Sequence, residues 1–247
     1  NYPLFLFPLT LLVMLTLWYK KGHDDRSVRN TIIPHYKPPE GLSPTETGTI
    51  LDEKLDPRDI TATIIYFAVK GFIRIHEISK KVLFLNNVDY ELELLNPYQT
   101  NKEFERIILH GIFLENIAGA KTKISDLKEK FYVNIPKVKK SIMEKLLNEG
   151  YFPHNPHTIR GIYAGIAIFL LFGGVQIGPL FGALATISII ASAITIFIIG
   201  NFMPRKTKKG TETYYVLKGL REYINTAEKD RMKFQERNNI IFEKLLP

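Results

Sequence analysis

The sequence predicts a mainly α-helical membrane protein, with three transmembrane helices and a cytoplasmic α+β region of winged-helix-like type. Three observations lead there. Residues 1–19 and 161–203 contain no Asp, Glu, Lys or Arg, although 33 basic and 25 acidic residues give the 247-residue chain a net charge of +8. Soluble cores are built from short apolar stripes, so uncharged runs of this length point to lipid. Basic residues gather at the edges of both runs, and the stretch between them alternates helix signals with short alternating strands.

Residues 1–19 form the first expected span. From Pro3 to Tyr19 the chain is apolar or mildly polar, roughly 25 Å of helix against a hydrocarbon thickness of about 30 Å, so this span is short as it stands. A cleavable signal peptide is the competing reading. Its basic region would precede the apolar stretch, whereas here Trp18, Tyr19, Lys20 and Lys21 follow it as an aromatic and basic collar. Because the chain opens on Asn1 and not Met, it is read as a piece of a longer or processed product.

Residues 20–42 are polar and hold Pro34, Pro38 and Pro39, which makes them an extended linker without a core of its own. The cytoplasmic region is expected over 43–158, in sub-units of about 43–95 and 101–153. Ser43-Pro44-Thr45-Glu46 opens a helix to about Lys54, with Ser43 as N-cap, Pro44 at the first helical position and Glu46 completing a capping box. A second helix starts at Asp56-Pro57-Arg58-Asp59, places Ile60, Ile64, Phe67 and Ala68 on one face, and stops at Gly71. Alternation in 72–78 and 90–94 predicts a hairpin turning near Asn86-Asn87. A further helix turns Phe104, Ile107, Ile108 and Ile112 inward, Ser125-Asp126-Leu127 opens a short one, and 134–149 turns Val138, Ile142, Leu146 and Leu147 inward. Helix, helix, glycine with an aromatic residue, then hairpin is the order of a winged-helix unit. The same glycine and aromatic pairing returns at Gly150-Tyr151-Phe152.

The run 159–203 is too long for one span and suits a hairpin of helices over about 160–176 and 179–202, broken near Val175–Pro179 by Gln176, Gly178 and Pro179. Gly161 and Gly165, and Gly178 and Gly182, stand four apart, a spacing that lets helices approach. The tail 204–247 is basic near the membrane and helical beyond it, with Thr211 as the expected cap and an apolar stripe through Tyr215, Leu217, Leu220, Tyr223 and Ile224. Glu228-Lys229-Asp230-Arg231 reads as a solvated face. Cations follow the first span (Lys20, Lys21, Arg26, Arg29), precede the second (Arg160) and follow the third (Arg205, Lys206, Lys208, Lys209). All three groups share one side in an out-in, in-out, out-in path, and that side is the cytoplasm by the positive-inside rule. The expected location is therefore the cell membrane, multi-pass, with the bulk of the chain cytoplasmic.

Several segments, in order, resemble the YciQ-like predicted membrane proteins, a domain-of-unknown-function family. They are Pro38-Pro39-Glu40-Gly41-Leu42-Ser43-Pro44, Asp56-Pro57-Arg58-Asp59-Ile60-Thr61-Ala62-Thr63, Gly71-Phe72-Ile73-Arg74-Ile75, Ser125-Asp126-Leu127, Gly150-Tyr151-Phe152, Met203-Pro204-Arg205, Ala227-Glu228-Lys229-Asp230-Arg231 and Phe242-Glu243-Lys244-Leu245-Leu246-Pro247. The resemblance covers about 25–247. It implies this topology, a cytoplasmic winged-helix-like region, and an extracytoplasmic β-rich domain ahead of the first span that does not lie within these residues. It implies no reaction and no site residues.

The residues point to no catalytic chemistry. Without cysteine there are no disulfides, no Cys-ligated zinc and no thiol nucleophile. No G-x-S-x-G elbow, phosphate-binding glycine loop or H-E-x-x-H occurs. His23-Asp24-Asp25 and the His154, His157 pair are the metal candidates. The first is better explained as solvated linker and the second lacks further ligands, so no metal or cofactor is expected. What remains is basic: Lys20, Lys21, Lys137, Lys139, Lys140, Arg205, Lys206, Lys208 and Lys209 are the expected contacts for anionic lipid or nucleic acid. Lys145 continues the cluster on the 134–149 helix, but base readout wants Arg, Asn or Gln there, and only Asn134 and Asn148 are offered, near its ends. The expected partners are membrane lipids and a protein, with nucleic acid the weaker alternative. The expected role is a non-enzymatic membrane-anchored scaffold or interaction protein. The alternatives are a membrane-tethered DNA-binding regulator and an accessory subunit of a membrane enzyme or transporter.

Overall fold

A computed structural model describes residues 5–28, 31–35, 38–82, 85–127 and 130–245, the side chains of 79–87 and 228–245 excepted. The start of the first expected span, Arg29 of its basic flank and the side chains of 228–231 lie outside the described residues. In chain order the elements are α1 (Leu6–Lys21), α2 (Pro44–Asp52), α3 (Pro57–Val69), β1 (Ile73–Val82), β2 (Leu85–Leu94), α4 (Glu103–Ile112), β3 (Lys121–Lys123), α5 (Ile124–Leu127), α6 (Ile135–Asn148), α7 (Pro156–Ile177), α8 (Ala183–Asn201) and α9 (Lys208–Leu245). They fall into two compact units, 41–149 and the combination of 1–40 with 150–247.

Within 41–149, helices pack with an antiparallel sheet of order β1-β2-β3. α2 starts as its sequence dictates. The Ser43 N–H donates to Glu46 Oε2 (2.7 Å) and the Glu46 N–H to Ser43 Oγ (3.5 Å), so the capping box satisfies two otherwise unpaired amides. α2 and α3 meet through small and polar groups. The Thr45 and Thr63 hydroxyls are 2.5 Å apart, and a Cβ at Gly48 would sit 2.1 Å from Asp59 Oδ1. Gly71, at φ +76°, turns the chain out of α3 into β1 at no Cβ cost. β1 and β2 pair from Ile73↔Leu94 to Val82↔Leu85. Asn86 and Asn87, expected near the turn, instead sit within β2 opposite Lys81 and Lys80, because pairing continues to the last residue before the connection. β3 extends the sheet through Leu92↔Thr122. It could not be read in advance, since three residues are too few to show alternation.

Phe67, Ile73, Leu92, Leu94, Phe104, Ile108, Leu109, Ile112, Ile142 and Leu146 form the buried apolar body of this unit. Each large side chain contributes on the order of 1.5–3 kcal/mol by leaving water. The helix faces are rotated slightly from those expected. Thr63 and Leu109 are buried, while Ile64, Ile107 and Leu147 are half-buried.

The capping carboxylate has a second role. Glu46 is fully buried, and its carboxylate accepts from Lys102 Nζ, at the start of α4, and lies 2.8 Å from Lys145 Nζ of α6 through Oε1. Lys102 also donates to the Gly41 carbonyl (2.6 Å), and Lys145 also pairs with Glu149. One carboxylate thus ties three helices together. Burial pushes the Glu46 carboxyl up, but the two ammonium groups and the Ser43 N–H outweigh it and hold the group below its ordinary value of 4.5. Asp59 goes the other way. Its burial, with Asp56 and Asp52 close by, raises it despite the hydrogen bond it accepts from the Asp56 N–H.

In the other unit, α7 and α8 form an apolar hairpin. Its turn is a tight 3-10 segment, Gly178–Phe181, followed by Gly182 at φ +95°, a few residues beyond the expected break. Close packing comes from glycines. A Cβ at Gly174 would meet Ile189 Cγ2 at 2.5 Å, and one at Gly200 would meet Tyr163 Cβ at 2.3 Å. Of the expected pairs, Gly161 and Gly165 have nothing within 4 Å and face outward, whereas a Cβ at Gly178 would meet Thr186 Oγ1 at 2.8 Å. Among the described residues two helices, not the expected three, are long and apolar enough to cross a membrane: Pro156–Phe181 and Ala183–Asn201. The described part of α1, Leu6–Lys21, ends in Lys20 and Lys21 and is not one of these two. α1 packs on the hairpin all the same, with Met14 buried beside Ala167, Ile196 and Met203.

α9 begins at Lys208, and Thr207 caps it by accepting the Gly210 N–H at 3.1 Å. The expected cap, Thr211, is one turn inside and donates to the Thr207 carbonyl (2.8 Å). Thr207 is preferred because its own hydroxyl also donates to the Gly150 carbonyl (2.6 Å), which ties the helix start to the chain before α7.

Glu46→Gln removes the charge and keeps one acceptor oxygen, replacing the other with an NH2 that cannot accept. Lys102 and Lys145 are each about a quarter exposed and keep other partners, so the cost should be about 1–3 kcal/mol, below that of a wholly buried broken pair. Hydrogen exchange of the whole chain in detergent should show it as lost protection in peptides from 41–149. A depressed carboxyl stabilises the fold fully above its unfolded value and loses that contribution as pH falls through the folded one. The gap between native protein and variant should therefore hold at neutral pH and close as pH drops below about 4.5.

Candidate functional site

The charged collar of the sequence folds into a cleft. After Lys21 the chain leaves α1 through Gly22, whose N–H closes the helix on the Trp18 carbonyl (2.8 Å). His23 then stacks on Trp18, ring centres 4.2 Å apart. The following turn meets residues 205–208, which lead into α9. Between them lies a cleft of about 500 Å³ whose lining includes Tyr19, Lys20, Arg26, Arg205, Lys206 and Lys208, with Pro153 on its rim.

Two carboxylates organise it. Asp24 Oδ1 accepts the backbone N–H of Lys206 at 2.6 Å, and its Oδ2 lies 4.0 Å from the Lys206 ammonium. Asp25 accepts the backbone and hydroxyl of Ser27, and these bonds, with Lys208 and Arg205 nearby, hold its carboxyl below the ordinary range. Arg26 donates to the Tyr19 carbonyl (3.3 Å) with its guanidinium 4.3 Å from that ring's centre, a cation–π contact that fixes the charge beside the helix end. Lys206 is only 5% exposed, with Nζ 4.7 Å from the Tyr214 ring centre and 5.9 Å from that of Phe152.

The basic residues picked out by sequence divide accordingly. Lys20, Arg205, Lys206 and Lys208 converge on the cleft. Lys21 is exposed at the end of α1, and Lys209 stacks over Tyr151 at 4.2 Å. Lys137 and Lys140 are exposed on α6 and Lys139 is half-buried there, with Lys140 Nζ 3.8 Å from Glu144. Lys145, read with them as a phosphate contact, is drawn instead into the Glu46 ion pairs. Of the metal candidates, Asp24 is engaged by Lys206. Among the described residues no three His, Cys, Asp or Glu groups converge in a metal-ligating arrangement. Sequence reasoning missed the role of Asp24 as a clamp. The only signal for it was a pair of acids directly after a basic collar.

The family model described as "Predicted membrane protein (DUF2207) C-terminal domain" matches residues 32–247. The chain belongs to this family. The resemblance read from its motifs is thereby borne out, and the DUF2207 match includes Pro153 and 205–208 of the cleft, while 19–26 precede it. No curated protein and no solved structure matches the chain.

Asp24→Ala should destabilise the unit by about 1–3 kcal/mol, because it leaves the Lys206 N–H without its acceptor and the neighbouring cations uncompensated. Asp24→Asn should recover part of that by restoring the acceptor. Thermal unfolding of the whole chain in detergent would rank native, Asn and Ala in that order.

Proposed function

We propose that this DUF2207 chain is a non-enzymatic membrane anchor and interaction protein. Its α7–α8 hairpin sits in the cell membrane, and its winged-helix-like region, 41–149, serves in the cytoplasm as a protein-binding domain. One observation carries the anchoring. From 161 to 203 the hairpin carries no charge, while Arg160 in the first turns of α7, Arg205 and Lys208 gather at its open end, where Arg160 Nε donates to the Asn201 carbonyl (3.3 Å) and links the two arms. Positive charge at one end and none at the other orients such a hairpin with its open end in the cytoplasm. Two crossings return the chain to the side it left, so the residues before and after the hairpin share that side. α1 contributes its packed face to the anchor.

The interaction role draws on the surface of 41–149. The turn Phe131–Asn134 packs at Gly111, and this turn and the 113–120 loop expose Leu114, Ile117, Tyr132 and Val133. Exposed apolar groups of this size support a binding surface. The DNA-binding alternative is weakened by Lys145, whose charge is engaged by Glu46.

The chain has no cysteine, which makes labelling direct. In intact cells an impermeant thiol reagent should modify Gln176→Cys and spare Lys137→Cys until the cells are opened. The reverse pattern would overturn the orientation, and full extraction without detergent would overturn the anchor. A photo-crosslinking residue at Leu114 should trap one discrete protein in cells, while the same residue at exposed Arg58 traps none. Equal trapping at both positions would argue against the docking role.

A further inference from the structure

We propose that the cleft between the end of α1 and the start of α9 is a binding site for a phosphate-bearing anion. The inference leans on the membrane reading only for the ligand's source. At a cytoplasmic interface, the phosphate of an anionic lipid headgroup is the nearest such group, and soluble phosphate shares its chemistry.

Five cations line the cleft, Lys20, Arg26, Arg205, Lys206 and Lys208, against two carboxylates. Asp24 engages Lys206, and Asp25, bonded to Ser27, lies near Lys208 and Arg205, so two carboxylates against five cations leave the cleft with an excess of three positive charges. Lys206 is held in place by burial against Phe152 and Tyr214 and Arg26 by its stacking on Tyr19. The other three, Lys20, Arg205 and Lys208, are exposed. A diffuse basic surface would leave every cation mobile and solvated. Here two are fixed within a concavity of about 500 Å³, and clefts of ~300–1,000 Å³ are usual for small-molecule sites. A phosphate offers several oxygens to several cations at once and matches the planar fork of Arg205 in bidentate geometry.

The test uses the whole chain in nanodiscs of phosphatidylcholine with a minority of phosphatidylglycerol, and counts retained lipids by native mass spectrometry. Phosphatidylglycerol should be retained over phosphatidylcholine. The Arg205→Ala, Lys208→Ala double variant should lower that retention about tenfold or more, since each cation near a lipid surface is worth about that order. Both positions are exposed, so the fold should survive, and Lys137→Ala with Lys140→Ala serves as the surface control and should leave retention unchanged. In detergent, inorganic phosphate is then added as a competitor. Displacement supports a site that reads phosphate from either source, and retention without displacement supports the lipid as the source. Equal retention of both lipids, or equal loss in the cleft variant and the control, overturns the proposal. If cysteine labelling placed the chain outside the membrane while phosphate still bound in a cleft-dependent manner, the anchor would fall and the site would stand.

Discussion

The rest of the structure depends on one constraint: 161–203 carries no charge, and its backbone polar groups must be satisfied within the segment itself. Helices are the available solution, and Gly182 at positive φ makes the return. Once the segment folds back, its two charged ends are adjacent. The chain entering at Arg160 and the chain leaving at Arg205 then meet the end of α1, and the cleft is a consequence of that closure. Glycines at 174 and 200 set how closely the arms approach, because a methyl group at either would collide with the opposite arm.

The unit 41–149 solves a different problem. It is small, and its helices are short, so apolar burial alone leaves their mutual placement loosely specified. Glu46 supplies direction. As a capping residue it would ordinarily face water. Here it faces inward, where Lys102 and Lys145 neutralise it. Buried ion pairs contribute little net stability against their desolvation cost, but they penalise any arrangement that separates the partners. The same unit carries a buried acid with the opposite tendency, Asp59, whose neighbour Gly48 is required by contact and not by backbone conformation.

Several elements were legible because they rest on local chemistry. The capping box at Ser43 and Glu46, the stop at Gly71, the β1–β2 hairpin and the two arms of the long apolar run follow from residue types within a few positions of one another. Others were not. β3 is too short to have a period, and it forms because β2 offers an edge. α1 reads as a span by composition, yet its described part, Leu6–Lys21, is not among the helices long and apolar enough to cross a membrane. Of the glycines spaced four apart, 161 and 165 faced no partner while Gly178 packs on Thr186, and Gly174 and Gly200, outside that spacing, are also in contact.

The sequence by itself determined the membrane character, the family, the helix boundaries set by caps and glycines, and the clustering of cations at the edges of the apolar runs. Each of these follows from local composition or from interactions a few residues long. The tertiary structure decided what the charges do. Lys145 became an internal partner of Glu46, 99 positions away in sequence, and Lys206 was drawn beneath Tyr214 with its backbone held by Asp24. A lysine's type announces a charge, but only the fold determines whether water, lipid or a carboxylate receives it, because the energy of a charge is set by what surrounds it in space and not by what adjoins it in the chain.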